Sequence, residues 1–304
     1  MMFVEILYPK IVEVPLVSEE LRGWNWRNPP VAPLLESIKL GVWEVTSKYC
    51  ATRYDVYLYR VLKIRPRLTK PILLGRAVHD LFVEAFRCLK KAILEEPKSG
   101  SELYCVLTSK RKKVVAHILE RFPANLVDEL SCNLNSLYNY LSLQISADYD
   151  RLIVESPDIV RSSIVDRFLS ISCERPIDGS RLGLSKWLMV DIYAPPIGIV
   201  EVKTGSTKDF HELSLVGYAL AMESSEYAPI NFGQLMYVHL NNGIHILRKL
   251  VRVSDELRRE FLEERDRLME ILYHERDPGL PNECPESCPY YFYCRGEKNE
   301  EVNN

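Results

Sequence analysis

The most constraining feature of this sequence is a pair of β-rich runs joined by a short turn. The runs KWLMVDIY and IGIVEVKT meet at the Pro-rich segment APPIG, where the chain is expected to fold back as an antiparallel hairpin. Asp191 and Glu201 lie at equal distances from Pro196, so a symmetric hairpin makes them cross-strand neighbours with Cβ atoms about 4.5–5.5 Å apart. Lys203 lies two residues beyond Glu201 and shares its face. The hairpin is therefore predicted to gather three charges on one face, provided that the turn keeps this register.

This set of charges suits a metal-dependent reaction at phosphate. Two carboxylates at one place repel each other and raise a pKa unless a cation compensates, and oxygen-rich pairs suit Mg²⁺ or Mn²⁺. A neighbouring lysine is suited to orient water and to stabilise charge that develops on a phosphoryl group. The pattern indicates a metal-dependent phosphodiesterase core. The alternative is a surface ion pair, because Glu-x-Lys within a strand is by itself typical of one.

His79 is a further candidate for this site. It lies in GRAVH, at the border of an apolar stripe on a helix predicted over roughly 72–95. A neutral imidazole at that position would supply a third metal ligand. The alternative is a histidine at the edge of a helix with a packing role alone.

A cluster of cysteines near the C-terminus predicts a second centre. Cys284, Cys288 and Cys294 follow the spacing C-x3-C-x5-C in CPESCPYYFYC, which is typical of metal or cluster binding. Cys50, 234 residues before Cys284, is the best candidate for a fourth ligand, and such a site would close most of the chain into one loop. Zinc and an iron–sulfur cluster are both compatible with this spacing. The remaining cysteines are predicted to be buried small apolar residues: Cys88, Cys105, Cys132 and Cys173.

Composition narrows the class of protein. The net charge of −3 does not indicate a nucleic-acid partner, so any nucleic-acid-binding site must be a local patch. No run of about 18 uncharged apolar residues is present, and MMFVEILYPK lacks the features of a signal peptide, so we predict a cytoplasmic chain with no membrane contact. Eight cysteines in such a compartment are not expected to form a disulfide framework.

The order of elements predicts an α/β (α+β) fold in one domain. Residues 1–45 are predicted to form an N-terminal arm, whose Trp and Arg residues either stack on bases or fix the arm to the body. A helix over roughly 46–62, with Thr46 or Ser47 as N-cap, precedes the His79 helix. Further elements are helices over 97–150, β-rich runs over 160–205 that include SSIVDRFLSIS, a helix over 209–223, a strand pair over 232–253, and a helix from Ser254 to about 275.

These parts, in this order, resemble the RecB-like nucleases of the PD-(D/E)XK superfamily. More closely, they resemble the CRISPR-associated RecB-like exonucleases in their longer archaeal subtype I-A form. The motifs that carry the resemblance run from about Cys50 to Cys294: YCATR, GRAVHDLF, LMVDIYAPPIGIVEVKTG, HELSLVGYALAME and CPESCPYYFYC. The resemblance implies a restriction-endonuclease-like mixed β-sheet core flanked by helices. It places a RecB-like nuclease domain at 46–304, a helical insertion at about 97–160 and a cluster-binding segment at 277–296.

The resemblance also implies roles for individual residues. His79, Asp191, Glu201 and the carbonyl of Val202 would bind Mg²⁺ or Mn²⁺. Lys203 would be the catalytic lysine, and Tyr218, in the helix after the hairpin, would contact the substrate. The four cysteines of the second centre would hold a 4Fe–4S cluster: Cys50, Cys284, Cys288 and Cys294.

The implied activity is exonucleolytic cleavage, mainly of single-stranded DNA, that trims DNA captured as new CRISPR spacers. The implied partners are the integrase and adaptation proteins of that pathway, and an oligomer is compatible with the sequence. Ser214 departs from the family, which usually has Gln there, and is expected to contact DNA less well. The alternatives are a repair or recombination nuclease outside CRISPR, and a non-catalytic scaffold or DNA-binding subunit.

Overall fold

A computed structural model of the chain describes residues 17–155, 161–195, 198–240, 243–286 and 288–296. The helices in these ranges are α1 (Val42–Thr46), α2 (Tyr54–Arg60), α3 (Lys70–Ile93), α4 (Gly100–Leu119), α5 (Val127–Glu155), α6 (Arg161–Leu169), α7 (Glu212–Glu226), α8 (Asp255–Tyr273) and α9 (Tyr291–Arg295). The strands are β1 (Ser172–Ile177), β2 (Leu188–Ala194), β3 (Gly198–Thr204), β4 (Phe232–His239) and β5 (His245–Arg252). None of the described helices is long and apolar enough to cross a membrane.

The five strands form one mixed sheet in the order β1-β2-β3-β4-β5. Antiparallel pairing joins β1 to β2, β2 to β3 and β4 to β5, whereas β3 and β4 run parallel. The parallel pair requires a crossover, and α7 lies in that connection. The predicted mixed sheet flanked by helices is therefore confirmed.

Each face of the sheet is covered by its own hydrophobic core. On one face, α3 packs against the sheet, and α4, α5 and α6 extend this layer; Val200 and Val202 of β3 belong to this core. On the other face, α1, α7 and α8 pack over Ile199, together with Leu235 and Tyr237 of β4. Because successive strand residues point to opposite faces, Glu201 and Lys203 share the α7 face with Ile199.

The segment over residues 17–45 is fixed to the body by buried arginines. Arg258 and Arg22 both donate to the carboxylate of Glu223, with donor–acceptor distances of 2.7–2.9 Å. Arg265 donates to the carbonyls of residues 30–32. Trp26 packs against the core with Arg27 4.4 Å above its ring. Of the two roles considered for this Trp and Arg pair, the contacts favour fixation of the arm.

The helix predicted over 46–62 is interrupted, and this prediction is wrong. Helix α1 ends at Thr46, and α2 begins after Arg53, which has a left-handed backbone with φ of 67°. The buried Arg53 guanidinium donates to the carbonyls of Glu44, Val45 and Ser47, at the C-terminal end of α1. These bonds hold the chain in a turn that presents Cys50 between the two helices.

Of three further predictions, one is wrong, one is confirmed, and one concerns residues that the structure describes only in part. SSIVDRFLSIS was expected to be β-rich, but its first part lies in α6, where Ile164 and Phe168 are buried one helical turn apart. Ser254 does cap α8, since its hydroxyl accepts a bond from the amide of Leu257 at 3.5 Å. Pro196 and the following residue of the predicted APPIG turn lie outside the described residues.

Candidate active site

The hairpin of β2 and β3 keeps the register that the sequence predicts. Ile192 pairs with Val200, Tyr193 with Ile199 and Ala194 with Gly198, which is the register expected for a hairpin symmetric about position 196. Asp191 Oδ2 also accepts a hydrogen bond from the backbone amide of Val202, across the strand pair, at 2.8 Å. The carboxylate is therefore fixed against β3 by the backbone of the strand that carries the Glu-x-Lys sequence.

Glu201 and Lys203 form a buried ion pair on β3. Lys203 Nζ lies 2.6 Å from Glu201 Oε1. Burial raises the pKa of Glu201, and the charge of Asp191 raises it further. The pKa of Lys203 is also raised, because its attraction to Glu201 outweighs the opposing effect of burial. Glu201 Oε2 is buried with no hydrogen-bond partner, so half of this carboxylate has unsatisfied acceptor capacity.

His79, on α3, contacts the carboxylate of Asp191. Its Nδ1 lies 3.3 Å from Asp191 Oδ1. Burial lowers the pKa of His79, but the Asp191 carboxylate outweighs this effect and the net value rises to about 9. The helix approaches the end of β3 closely at Gly75, where a Cβ atom would lie 3.2 Å from Thr204 Oγ1. The absence of a side chain at Gly75 thus allows α3 to bring His79 to the hairpin.

Tyr218 lies on α7, the helix after the hairpin, where it is partly buried against the core. Burial raises the pKa of Tyr218 well above its ordinary value, and the negative charges of Glu201 and Asp191 raise it further. Ser214, one turn earlier, is buried and donates to the carbonyl of His211 at 2.7 Å. The Ser214 hydroxyl is therefore engaged in a hydrogen bond to the backbone at the start of α7.

A hydrogen-bonded bridge next to Lys203 was not foreseen from the sequence. The Tyr49 hydroxyl lies 2.9 Å from His211 Nε2, and His211 Nδ1 lies 3.1 Å from the Tyr237 hydroxyl. Tyr237 is the direct neighbour of Lys203 on the parallel strand β4. The bridge connects the residue before Cys50 to the face of the sheet that carries Glu201 and Lys203. Its only sequence signal is the position of Tyr49 beside a candidate ligand, because the partners converge through tertiary packing alone.

Two of the C-terminal cysteines, Cys288 and Cys294, meet Cys50 in a small core of their own. Cys50 packs with Tyr54, Leu58 and Tyr290, and Cys288 and Cys294 border this group. Burial raises the pKa of Cys294, as do the neighbouring thiols of Cys288 and Cys50. Burial also raises the pKa of Cys288, and the Cys284 thiol raises it further. The structure thus links four cysteines that lie at opposite ends of the chain, and all are free thiols.

The isolated cysteines were predicted to be buried, and this is wrong for two of them. Cys105 and Cys132 are exposed, while Cys88 and Cys173 are half-buried. The apolar residues that flank Cys105 and Cys132 occupy other faces of the long helices α4 and α5. A helical segment turns neighbours in sequence to different sides, so local apolar composition is a poor guide to burial there.

No three described His, Cys, Asp or Glu side chains form a group that could hold a metal ion as they stand. In the hairpin, one oxygen of Glu201 is bonded to Lys203, and His79 is bonded to Asp191. The donor chemistry nevertheless fits Mg²⁺ or Mn²⁺, since it combines two carboxylates with an imidazole and includes the unsatisfied Glu201 Oε2. Four converging thiols likewise fit a cluster or zinc.

Comparison with known proteins gives a consistent assignment. The family model of the CRISPR-associated exonuclease Csa1 matches residues 5–298. A protein of that name from Saccharolobus solfataricus is 34% identical over 293 residues, which cover 95% of this chain and 96% of that protein. Another of that name, from Thermoproteus tenax, is 28% identical over 288 residues, which cover 94% of this chain and 95% of that protein. The chain belongs to the CRISPR-associated exonuclease Csa1 family.

Proposed function

We propose that this protein is a metal-dependent DNA exonuclease of the PD-(D/E)XK type that acts mainly on single strands. The observation that carries the proposal is the convergence of Asp191, Glu201 and Lys203 on one hairpin, with a buried oxygen of Glu201 left unsatisfied. A surface ion pair, the alternative considered for Glu-x-Lys, does not account for an acidic side chain that is only 5% exposed.

Each residue in the site has a defined part in this proposal. His79, Asp191, Glu201 and the Val202 carbonyl hold Mg²⁺ or Mn²⁺, which when bound polarises the scissile phosphate and lowers the pKa of bound water. Lys203 orients the attacking water and stabilises the charge that develops on the phosphate oxygens. Tyr218, whose pKa is raised by burial and by the charges of both carboxylates, contacts the DNA strand. The amide of Val202 keeps Asp191 in place throughout.

A nuclease assay tests this proposal directly. DNA labelled at either end, as single and double strands, is incubated with Mg²⁺, Mn²⁺ or a chelator. We expect progressive shortening of single strands that needs the metal and is abolished by Asp191→Ala and by Lys203→Ala. Asp128→Ala and Lys112→Ala, which change exposed residues on α5 and α4, serve as matched controls. Cleavage by both site variants at the wild-type rate would refute the proposal.

We further propose that Cys50, Cys284, Cys288 and Cys294 hold a 4Fe–4S cluster, with zinc as the alternative. The support is that Cys50, Cys288 and Cys294 meet in one small core, and that the Cys284 thiol raises the pKa of Cys288. Burial raises the pKa of Cys288 to about 11, so a bound cation is needed to favour the thiolate form there. Iron and acid-labile sulfide are to be measured in protein purified without oxygen. Zinc without sulfide would exclude the cluster.

The biological role that we propose is the trimming of DNA before its insertion as a new CRISPR spacer. The support is membership in a CRISPR-associated exonuclease family. We expect the integrase and adaptation proteins of the same pathway to be partners. Affinity capture of the tagged full chain from its native cells, with identification of the retained proteins, tests this. Retention of repair or recombination proteins in place of integrase would point to the non-CRISPR role.

A further inference from the structure

A short loop lies, in sequence, between the helix that follows Cys50 and the helix that carries His79. It contains basic residues and no acidic residue. Residues 61–69, VLKIRPRLT, run from α2, which follows Cys50, to α3, which carries His79. Lys63, Arg65 and Arg67 are all exposed. The loop is tied to the cysteine segment, since the Arg67 amide donates to the Pro289 carbonyl at 3.1 Å. Its positive charge is therefore held next to the cysteine segment, immediately before the helix that carries His79.

Aromatic rings lie beneath two of these cations, Arg65 and Arg67. The Trp43 and Tyr59 rings pack edge to face with centroids 5.6 Å apart. Arg65 lies 5.1 Å from the centroid of the Tyr59 ring, and its Nη1 donates to the Tyr59 hydroxyl at 2.9 Å. Arg67 lies 4.7 Å from the Phe292 ring. We call this group, formed by Trp43, Tyr59, Arg65, Arg67 and Phe292, the aromatic–arginine surface.

The exposure of this surface is unusual for such side chains. Trp43 is 52% exposed and Phe292 is 44% exposed. The carboxylate closest in sequence to Trp43 does not offset the local positive charge, because Glu44 is buried and paired with Arg60. Large apolar rings in water cost hydration free energy, and a cluster of them beside arginines commonly marks a binding surface.

The chemistry of the surface selects one class of partner. Base faces stack on aromatic rings, and guanidinium groups neutralise phosphates, which together are the features of proteins that bind single-stranded nucleic acid. A duplex buries its base faces and does not use such rings. Protein partners also favour aromatic and arginine anchors, but a loop with three cations and no carboxylate is better matched to a polyanion.

We propose that the aromatic–arginine surface binds single-stranded DNA and guides it to the site at His79. This inference rests on the proposed function, since it assigns the place where the substrate of that nuclease is held. His79 lies nine residues into α3, so the end of the loop is about 14 Å from it along the helix axis. A strand that contacts the loop is therefore within reach of the hairpin.

Equilibrium binding of a fluorescently labelled oligothymidine tests the proposal separately from cleavage. The measurement is made by anisotropy at several salt concentrations, with Asp191→Asn present in every protein to prevent degradation. We expect Trp43→Ala and Phe292→Ala each to raise Kd about 5- to 150-fold, which is the range for loss of one base stack. Trp43→Phe retains a ring and is expected to keep most of the affinity, which separates stacking from misfolding.

The arginines give an independent readout. Arg65→Glu with Arg67→Glu should lower the slope of log Kd against log salt by about 0.7 for each lost phosphate contact. The matched controls are Trp187→Ala, at a Trp that is 76% exposed, and Lys110→Glu with Lys112→Glu on α4. Neither control is expected to change binding.

Two results would overturn the proposal. The first is wild-type affinity for single strands in the Trp43→Ala and Phe292→Ala proteins. The second is unchanged DNA binding combined with loss of a co-purifying protein, which would make this surface a protein-docking site. Failure of the proposed function is a separate outcome, recognised when Asp191→Ala still cleaves DNA while the surface variants lose affinity.

Discussion

The hydroxyl of Tyr49 and the Nε2 atom of His211 lie 2.9 Å apart, in a bridge that continues to the hydroxyl of Tyr237. Tyr49 precedes the candidate cluster ligand Cys50, and Tyr237 neighbours the candidate catalytic residue Lys203. The segment that carries Cys50 and the strand next to Lys203, which are distant in sequence, are thus connected through the imidazole of His211. The position of the Cys50 turn and the arrangement of side chains around Lys203 are expected to depend on each other.

Replacement of His211 is expected to destabilise the protein. His211→Leu removes the hydrogen bonds to the hydroxyls of Tyr49 and Tyr237, so the free energy of unfolding should fall by about 1–3 kcal/mol. Denaturant unfolding of the variant and wild type measures this difference. His245→Leu, at an exposed histidine on β5, is the matched control. An equal loss in both variants would show that the bridge adds no stability.

The same histidine predicts how stability depends on pH. Burial lowers the pKa of His211 to about 4, and the charges of Lys203 and Lys208 act in the same direction. An unfolded histidine has a pKa of about 6.5, so the unfolded state binds more protons between these values. Stability should therefore fall as the pH drops from about 6.5 to about 4. The melting temperature of His211→Gln should decrease less over this interval, whereas His274→Gln should follow the wild type.

Loss of the buried Glu223 charge is expected to be severe. This carboxylate is fully buried and accepts bonds from Arg22 and Arg258. Glu223→Gln leaves buried arginine charge uncompensated, which is expected to cost about 3–5 kcal/mol in the free energy of unfolding. Chemical denaturation provides the measurement. Glu226→Gln, at the more exposed partner of Arg175, should change stability by less than about 1 kcal/mol.

Metal binding should be visible without any nuclease assay. If Asp191 and Glu201 hold Mn²⁺, saturation of the site at about 100 times its Kd should stabilise the folded state by about 2.7 kcal/mol. A rise in melting temperature on addition of Mn²⁺ is therefore expected for the wild type and for Glu226→Gln. It should be lost in Asp191→Asn and in Glu201→Gln. A similar rise in all four proteins would place the bound ion elsewhere.

Cysteine substitutions should separate into two classes. Cys50→Ser removes a thiol that packs with the C-terminal cysteines, so iron or zinc content and melting temperature should both fall. Cys105→Ser changes an exposed thiol and should leave both unchanged. Metal analysis together with thermal melting makes the comparison. A fully loaded Cys50→Ser protein would show that this residue is not a ligand.

The hairpin site was predictable because its geometry is local. Asp191 and Glu201 lie on two strands joined by one turn. Because side chains alternate between the two faces along each strand, the sequence alone predicts that both residues share a face. The same alternation of side chains predicts that Lys203, two residues after Glu201, lies on the face of Glu201. His79 was a candidate from its position at the border of the apolar stripe on its helix, but its contact with Asp191 could not be predicted, because a helix-edge histidine carries no local signal for the strand that it will contact.

Other features depend on contacts that the local sequence does not encode. The turn that presents Cys50 exists because Arg53 adopts a left-handed backbone and binds carbonyls of the preceding helix. Helix α6 is rich in residues that favour strands, and burial of Ile164 and Phe168 overrides that preference. The two tyrosines and the imidazole of the bridge come from three separated segments, so only the folded chain brings them together.

The buried arginines of α8 have a consequence for synthesis on the ribosome. Arg258 donates to the Leu21 carbonyl, 237 positions earlier in the chain. At roughly 5–20 residues per second, the N-terminal segment waits roughly 12–47 s for this partner to be translated. During that interval the apolar residues Leu21 and Val31 lack the helix that later covers them. Early chaperone capture of the nascent chain should therefore depend on how quickly translation reaches α8.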